Sequence, residues 1–296
     1  MEPVCNIAGA STLEIETEHT MGAFKRYFPI PFLIVGMVAI GHIVAHLVRT
    51  PDAGAAWIGA LIAITPLVSF MLSLALVKRA RTFRNQYLLL AAATVGTVLS
   101  FMGFESPASW YALFLGLVPS FAYVFWYSRL DRSTPSVVAL GATLPDLELV
   151  DGEGSVVTPT PGKHGLYMFV RGNWCPLCMA QVEEIASQYR ELEARGVEVF
   201  LISRQPAAKT RALAKRFDAP IRFCVDKDGT LARRLGIEHI GGVPFLMGQL
   251  GYGIDSVLPT VVISDPSRRI IFVDLTDNYR VRPEPSTFLA ALDAKP

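Results

Sequence analysis

Between Phe28 and Tyr127 the chain runs through four apolar stretches, and no other feature restricts its folding as much. Phe28–Val48 and Trp57–Val77 are 21 residues each, Tyr87–Phe104 and Trp110–Tyr127 are 18 each, and none contains Asp, Glu, Lys or Arg. Crossing the hydrocarbon core takes about 20 residues, with a range of ~17–25. A water-soluble helical domain would carry charge on its solvent faces, so the pattern predicts four transmembrane helices. Aromatic residues at the ends (Tyr27, Phe28, Trp57, Tyr87, Trp110, Tyr111, Trp126 and Tyr127) match interfacial belts. The chain is 51% hydrophobic and only 18% charged, and the apolar excess lies in its first half. Pro66 and Pro119 sit mid-segment, where proline kinks a helix, and Gly36, Gly96 and Gly116 suit close helix packing.

Basic residues in the short loops predict the orientation. Lys78, Arg79, Arg81 and Arg84 crowd the second loop and assign it to the cytoplasm. Lys25, Arg26, Arg129 and Arg132 then fall on the same side, while the outer loops hold only Arg49 with Asp52, and Glu105. The expectation is a multi-pass protein of the plasma or inner membrane, with both termini cytoplasmic. Met1–Thr20 carries Glu2, Glu14, Glu16 and Glu18 with no Lys or Arg, which is not a secretory signal. It reads as a tail in which Cys5 is an incidental thiol. His42 and His46, four apart and continued by Arg49, form a speculative membrane site, a quinone or haem contact. The competing reading is hydrogen bonding between helices by neutral imidazoles. A net charge of +1, with no basic patch interleaved with aromatics, gives no sign of a nucleic-acid partner.

The chemistry sits in the second half, at Phe169-Val170-Arg171-Gly172-Asn173-Trp174-Cys175-Pro176-Leu177-Cys178. Leu166–Val170 reads as a buried strand, and Met179, Val182, Ile185, Tyr189 and Leu192 recur at helical steps after the motif. A Cys at the start of a helix meets unpaired N–H groups and the macrodipole, which favour a thiolate, so Cys175 is expected to have a depressed pKa. Cys178, one turn on, is placed to attack a mixed disulfide or sulfenate on Cys175. Pro176 lacks an N–H and suits the first helical turn. Half of a zinc site would need a second ligand pair, but Cys5 and Cys224 are isolated and His239 has no neighbouring ligand. A merely structural pair of buried thiols does not explain a Trp-Cys-Pro turn before a helix. No metal or cofactor is expected beyond a redox-active disulfide.

Arg129–Leu140 reads as a short juxtamembrane linker. Beyond it strands and helices alternate. Leu147–Val150 and Val156–Thr158 flank a hairpin turn, and Met179–Arg195 is a helix closed by Gly196. Val197–Ser203 is a strand, Ala207–Phe217 a helix, Ile221–Val225 a strand and Thr230–Leu235 a helix. Thr260–Ser264 and Ile270–Leu275 form a second hairpin, and Ser286–Leu292 a closing helix. This order predicts an α/β fold, a mixed sheet flanked by helices. Ile240–Ile254, with five glycines, is expected to form a flap over the site or to pack against the membrane domain. The division is thus a tail (1–27), four membrane helices (28–128), a linker (129–140) and a redox domain (141–296).

Residues 141–296 resemble the thioredoxin-like superfamily and, within it, the redoxin branch of alkyl hydroperoxide reductase and thiol-specific antioxidant proteins, the peroxiredoxin-like proteins. The resemblance rests on Gly141-Ala-Thr-Leu-Pro-Asp146, on the Phe169–Cys178 motif and on Val225-Asp-Lys-Asp-Gly229 with Leu235-Gly236. Leu258-Pro259-Thr260 and the run from Asn278-Tyr279 to Pro283-Glu284-Pro285 complete it. It implies a membrane-anchored antioxidant oxidoreductase in which Cys175 attacks a peroxide or disulfide and Cys178 resolves. Pro259 would be a cis-proline facing the pair, and Trp174, Asn173, Arg171 and Arg204 would support the site. The implied partners are a cytosolic thioredoxin-like dithiol reductant and, for a site held at the bilayer, membrane lipid. Peroxiredoxins place a Thr or Ser three residues before the attacking Cys, and here that position is Gly172. A thiol–disulfide oxidoreductase, or a redox relay or sensor coupled to the helices, is the alternative function.

Overall fold

A computed structural model describes residues 24–50, 54–102 and 106–294; the tail carrying Cys5 lies outside them. A helical turn at Lys25–Tyr27 leads into helix α1 (Pro29–Arg49), followed by α2 (Gly54–Leu76) and α3 (Tyr87–Phe101). Helix α4 (Pro107–Tyr127) completes the bundle. Helices α1, α2 and α4 are long and apolar enough to cross a membrane, whereas α3 has 15 residues. At 1.5 Å per residue it spans about 22 Å, short of a hydrocarbon core of ~30 Å. The expected fourth span is therefore a shorter apolar helix. Pro66 is accommodated inside α2. In α4, Ala112–Leu117 and Tyr123–Tyr127 wind as π-helix, the first just before Pro119.

Small residues set the helix spacing. A Cβ on Gly59 would lie 2.6 Å from the Gly96 carbonyl oxygen, and one on Gly96 would lie 2.5 Å from the Ala63 nitrogen. Gly116 meets the Ala63 side chain in the same way. At such separations hydroxyls can reach backbone carbonyls on the neighbouring helix. Ser100 Oγ donates to Ala56 O at 2.9 Å, and Thr97 Oγ1 lies 3.2 Å from Ala112 O.

The second half is built on a seven-stranded sheet. Its strands are β1 (Leu149–Asp151), β2 (Val156–Val157), β3 (His164–Phe169), β4 (Val197–Ser203), β5 (Arg222–Val225), β8 (Thr260–Ser264) and β9 (Ile270–Asp274). The order is β2-β1-β5-β4-β3-β8-β9, with β3, β4 and β5 parallel and the outer pairs antiparallel. Central β4 is buried along its whole length, as a continuous apolar run requires. Helices α5 (Pro176–Ser187), α6 (Tyr189–Ala194), α7 (Ala207–Ala214), α8 (Thr230–Leu235) and α9 (Pro285–Asp293) flank it. The single helix expected at Met179–Arg195 begins three residues earlier, because Pro176 is compatible with a first turn, and breaks at Gln188 (φ −101°, ψ 9°). Gly196 follows with φ +68°, the left-handed stop predicted.

The segment expected to be a linker is fastened down. Leu130 N–H donates to Asp277 O at 2.7 Å, Ser136 Oγ to Leu235 O at 2.8 Å, and Val138 is buried. Arg132 reaches the carbonyls of Pro259 and Thr276. The redox domain is thereby seated on one end of the bundle. Arg280, fully buried, donates to the carbonyls of Phe83 and Arg84, to Thr82 Oγ1 and to Ser128 Oγ. Tyr123 and Tyr279 hydroxyls share a hydrogen bond of 2.7 Å, and Arg81–Glu184, Arg84–Asp277 and Lys78–Glu183 pair at the rim.

Candidate active site

The turn after β3 positions the motif. Gly172 has φ +144°, and a Cβ there would lie 2.6 Å from Trp174 Nε1. The side chain that peroxiredoxins place at this position is thus excluded by the packing of Trp174. Asn173 N–H donates to Gln205 Oε1 at 2.8 Å, and Tyr252 bonds the Asn173 side chain from the glycine-rich segment. Cys175 caps α5 with extended backbone, and its carbonyl accepts from Met179 N–H at 3.0 Å. Both thiols are buried, Cys175 at 1% exposure and Cys178 at 0%.

Two guanidinium groups face the pair. Arg171 stacks on Trp174 at 4.9 Å and on Tyr279 at 5.5 Å, and its Nη2 donates to Gly242 O at 2.6 Å. Arg282 approaches Cys178 Sγ with Nη2 at 3.6 Å and donates from Nε to Tyr279 O. The hydrogen bond to Cys178, with burial, holds the Cys175 thiol well above the ordinary thiol range. Burial also opposes a charge on Cys178. There the hydrogen bond from Cys175, the Arg282 charge and Arg171 outweigh it and bring the pKa down. The expected depressed pKa therefore belongs to the other sulfur. Two adjacent negative charges are disfavoured in so buried a site, so the two thiols titrate as a pair, with the lower pKa on the Cys178 side.

Other expected site residues fall differently. No peptide among the described residues is cis, so Pro259 is a trans proline. It opens β8, where Thr260 pairs with Phe169 beside the motif and Arg132 takes the Pro259 carbonyl. Arg204 pairs with Glu238 at 2.7 Å and Asp255 at 3.6 Å. His42 and His46 pack on Trp57 at 5.8 and 4.2 Å, and His42 also on Tyr111. They lie toward the far end of α1, about 20 and 26 Å along the helix from its first residue.

Arg282 was not among the residues the sequence pointed to. Its only signal was a second arginine in Arg280-Val281-Arg282, close to the Asn278-Tyr279 pair. Tyr127, the last residue of α4, also reaches the site, close enough to Cys175 and Arg171 for their charges to act on it. The glycine-rich segment touches both the site and the start of the bundle. Gly242 O holds Arg171, and Phe245 packs on Tyr27 at 5.0 Å with its N–H bonded to Arg26 O.

A dithiol capping the helix after a central parallel strand, beneath two buried arginines, defines a peroxiredoxin-like domain of thioredoxin fold. Residues 140–273 match the AhpC/TSA family, so the C-terminal half of this chain is a thiol-dependent oxidoreductase of the thiol peroxidase and thiol–disulfide oxidoreductase class. No curated protein sequence matches the chain. Among solved structures, it is similar to reduced Prx3 from Vibrio vulnificus, at 22% identity over 53% of this chain and all of that one, with a TM-score of 0.45. Peroxidoxin BcpB from Mycobacterium tuberculosis is 21% identical over 52% of this chain and 95% of its own, with a TM-score of 0.41. A putative thioredoxin reductase from Burkholderia cenocepacia is 19% identical over 53% and 99%, with a TM-score of 0.43.

Proposed function

We propose that this protein is a membrane-anchored thiol peroxidase of the cytoplasmic face, with Cys175 attacking and Cys178 resolving. The observation that carries the assignment is the buried dithiol at the start of α5, with the Arg282 guanidinium 3.6 Å from Cys178 Sγ. The proton of Cys175 passes to Cys178 across their hydrogen bond. The Cys175 thiolate then attacks the outer oxygen of R–O–OH, the O–O bond breaks, and Cys175 becomes a sulfenic acid. The departing alkoxide takes the proton from Cys178 and leaves as the alcohol. The Cys178 thiolate next attacks the Cys175 sulfur, displaces hydroxide and closes the disulfide. Two electrons have passed from the sulfurs to the peroxide, and an external dithiol of thioredoxin type restores them. Arg171 and Arg282 favour the thiolate on the pair until the disulfide closes and the charge leaves as hydroxide. The membrane anchor is supported by the three long apolar helices, and the cytoplasmic orientation by the basic loops.

Gly172 favours a second reading. Without the hydroxyl of the peroxiredoxin Thr, a disulfide is the competing substrate, attacked by Cys175 in the same geometry. The test uses full-length protein in neutral detergent. Reduced enzyme is mixed with hydrogen peroxide and with cumene hydroperoxide, and the Cys178→Ser variant is trapped with dimedone. Rapid peroxide loss with a dimedone adduct on Cys175 is expected. Oxidation no faster than that of a free thiol, together with reduction of insulin disulfides, would transfer the protein to the second reading.

A further inference from the structure

A cleft opens at the joint, lined on the bundle side by Lys25, Arg26, Tyr127 and Arg129 and on the redox side by Arg171 and His239, among others. It is shallow, with a cavity volume of only about 10 Å³ behind a mouth that opens to solvent, so a ligand would sit at the mouth. Four of these six side chains are cationic, and among the described residues none of the four is within ion-pair distance of a carboxylate. Lys25 Nζ is held by the Arg129 carbonyl at 2.8 Å, and Asp131 is the acid that faces it. Three polar atoms bordering the cleft are buried without a partner: Arg26 Nε, Arg171 Nε and His239 Nδ1. Arg171 is 7% exposed. Buried donors without partners are costly, and a bound anion would supply acceptors to the two arginine Nε groups. Arg171 belongs at once to the cleft and to the dithiol, and Tyr127 lies on the Cys175 side.

We propose that this cleft is an oxyanion subsite, which holds the phosphate or carboxylate of an organic hydroperoxide while its peroxide group reaches Cys175. The proposal rests on the peroxidase reading for its substrate and on the cleft alone for its ligand class. The bundle supplies three of the four cations, so anion selection comes from the half of the chain outside the redox domain. In the membrane orientation given above, Lys25 and Arg26 stand at headgroup depth, where an anionic phospholipid and a soluble anion are both within reach.

The experiment keeps ligand class and chemistry apart. Full-length reduced protein in phosphatidylcholine nanodiscs is titrated calorimetrically with hexyl phosphate and with hexanol. Saturable binding of the phosphate is expected, at least tenfold tighter than hexanol and weakened at least tenfold in Lys25→Gln/Arg26→Gln. Equal affinities for the two ligands in the wild-type protein would overturn the proposal without recourse to a variant. Repetition in phosphatidylglycerol nanodiscs identifies the source: lost hexyl phosphate binding means the headgroup already fills the subsite, and retained binding means a soluble anion does. Turnover of linoleic acid hydroperoxide and its methyl ester is measured alongside. Phosphate binding without turnover of either leaves the subsite standing and sinks the peroxidase reading. Turnover of both at equal rates, without phosphate binding, does the reverse.

Discussion

The two halves of this molecule bury their surfaces by opposite means. The helical bundle draws its helices together at glycines, so that Gly59, Gly96 and Ala63 bring backbone against backbone. The redox domain fills its interior with large side chains, Leu166, Phe169, Phe200 and Val262 among them, on both faces of a sheet. The joint follows neither pattern, being made of arginine, tyrosine and backbone carbonyls. In the bundle adding atoms is harmful, in the redox domain removing them is, and at the joint the loss of donors is.

The largest effect is expected at the joint. Arg280→Met removes a buried guanidinium that donates to two carbonyls and two hydroxyls across the joint, and should destabilise the protein by about 3–5 kcal/mol in thermal or denaturant unfolding. Leu166→Ala, at a fully buried position of β3, should cost about 2–5 kcal/mol, whereas Gly96→Ala in the bundle should cost about 1–3 kcal/mol through overpacking. If Gly96→Ala proved neutral or stabilising, the contrast between the halves would fail.

A pH titration sharpens the contrast between the two sulfurs. The folded pKa of Cys178 lies below its unfolded value, so its contribution to the stability of the reduced protein is present above the unfolded pKa. That contribution is lost as pH falls through the folded one. Thiolate absorbance near 240 nm should accordingly persist below the ordinary thiol range of about 8.5, and vanish in Cys178→Ser. Persistence in that variant would put the charge on Cys175. The smallest effect concerns Cys224, whose thiol burial pushes up to about 12. It should resist iodoacetamide in the folded protein at neutral pH.

Much of the redox domain was legible because its signals are local. The apolar run Val197–Ser203 and the hairpin at Thr260–Ser264 occupy the residues their patterns marked. The Trp-Cys-Pro turn opened a helix as the position of Pro176 implied. What escaped depends on the chain returning from far away. Arg282 meets Cys178 and Gln181 only because the segment before α9 folds back onto α5, and nothing near either residue announces the pairing. The ion pairs of Arg204 were equally hidden, because Glu238 and Asp255 lie more than 30 positions along the chain. The depressed pKa was assigned to Cys175 by a rule about helix ends, which says nothing of arginines arriving from elsewhere. The third apolar stretch was long enough on paper, but its helix ends at Phe101.

The way Arg280 is satisfied bears on how such a protein can be inherited. Its guanidinium belongs to the redox half, yet the loop before α3 and the end of α4 complete its valences. A recombination that moved the redox half onto another anchor would carry a cation stripped of its acceptors. One that kept the helices alone would leave carbonyls facing a vacated seat. The seam between the halves therefore selects against shuffling, and the two are expected to travel through evolution as one gene.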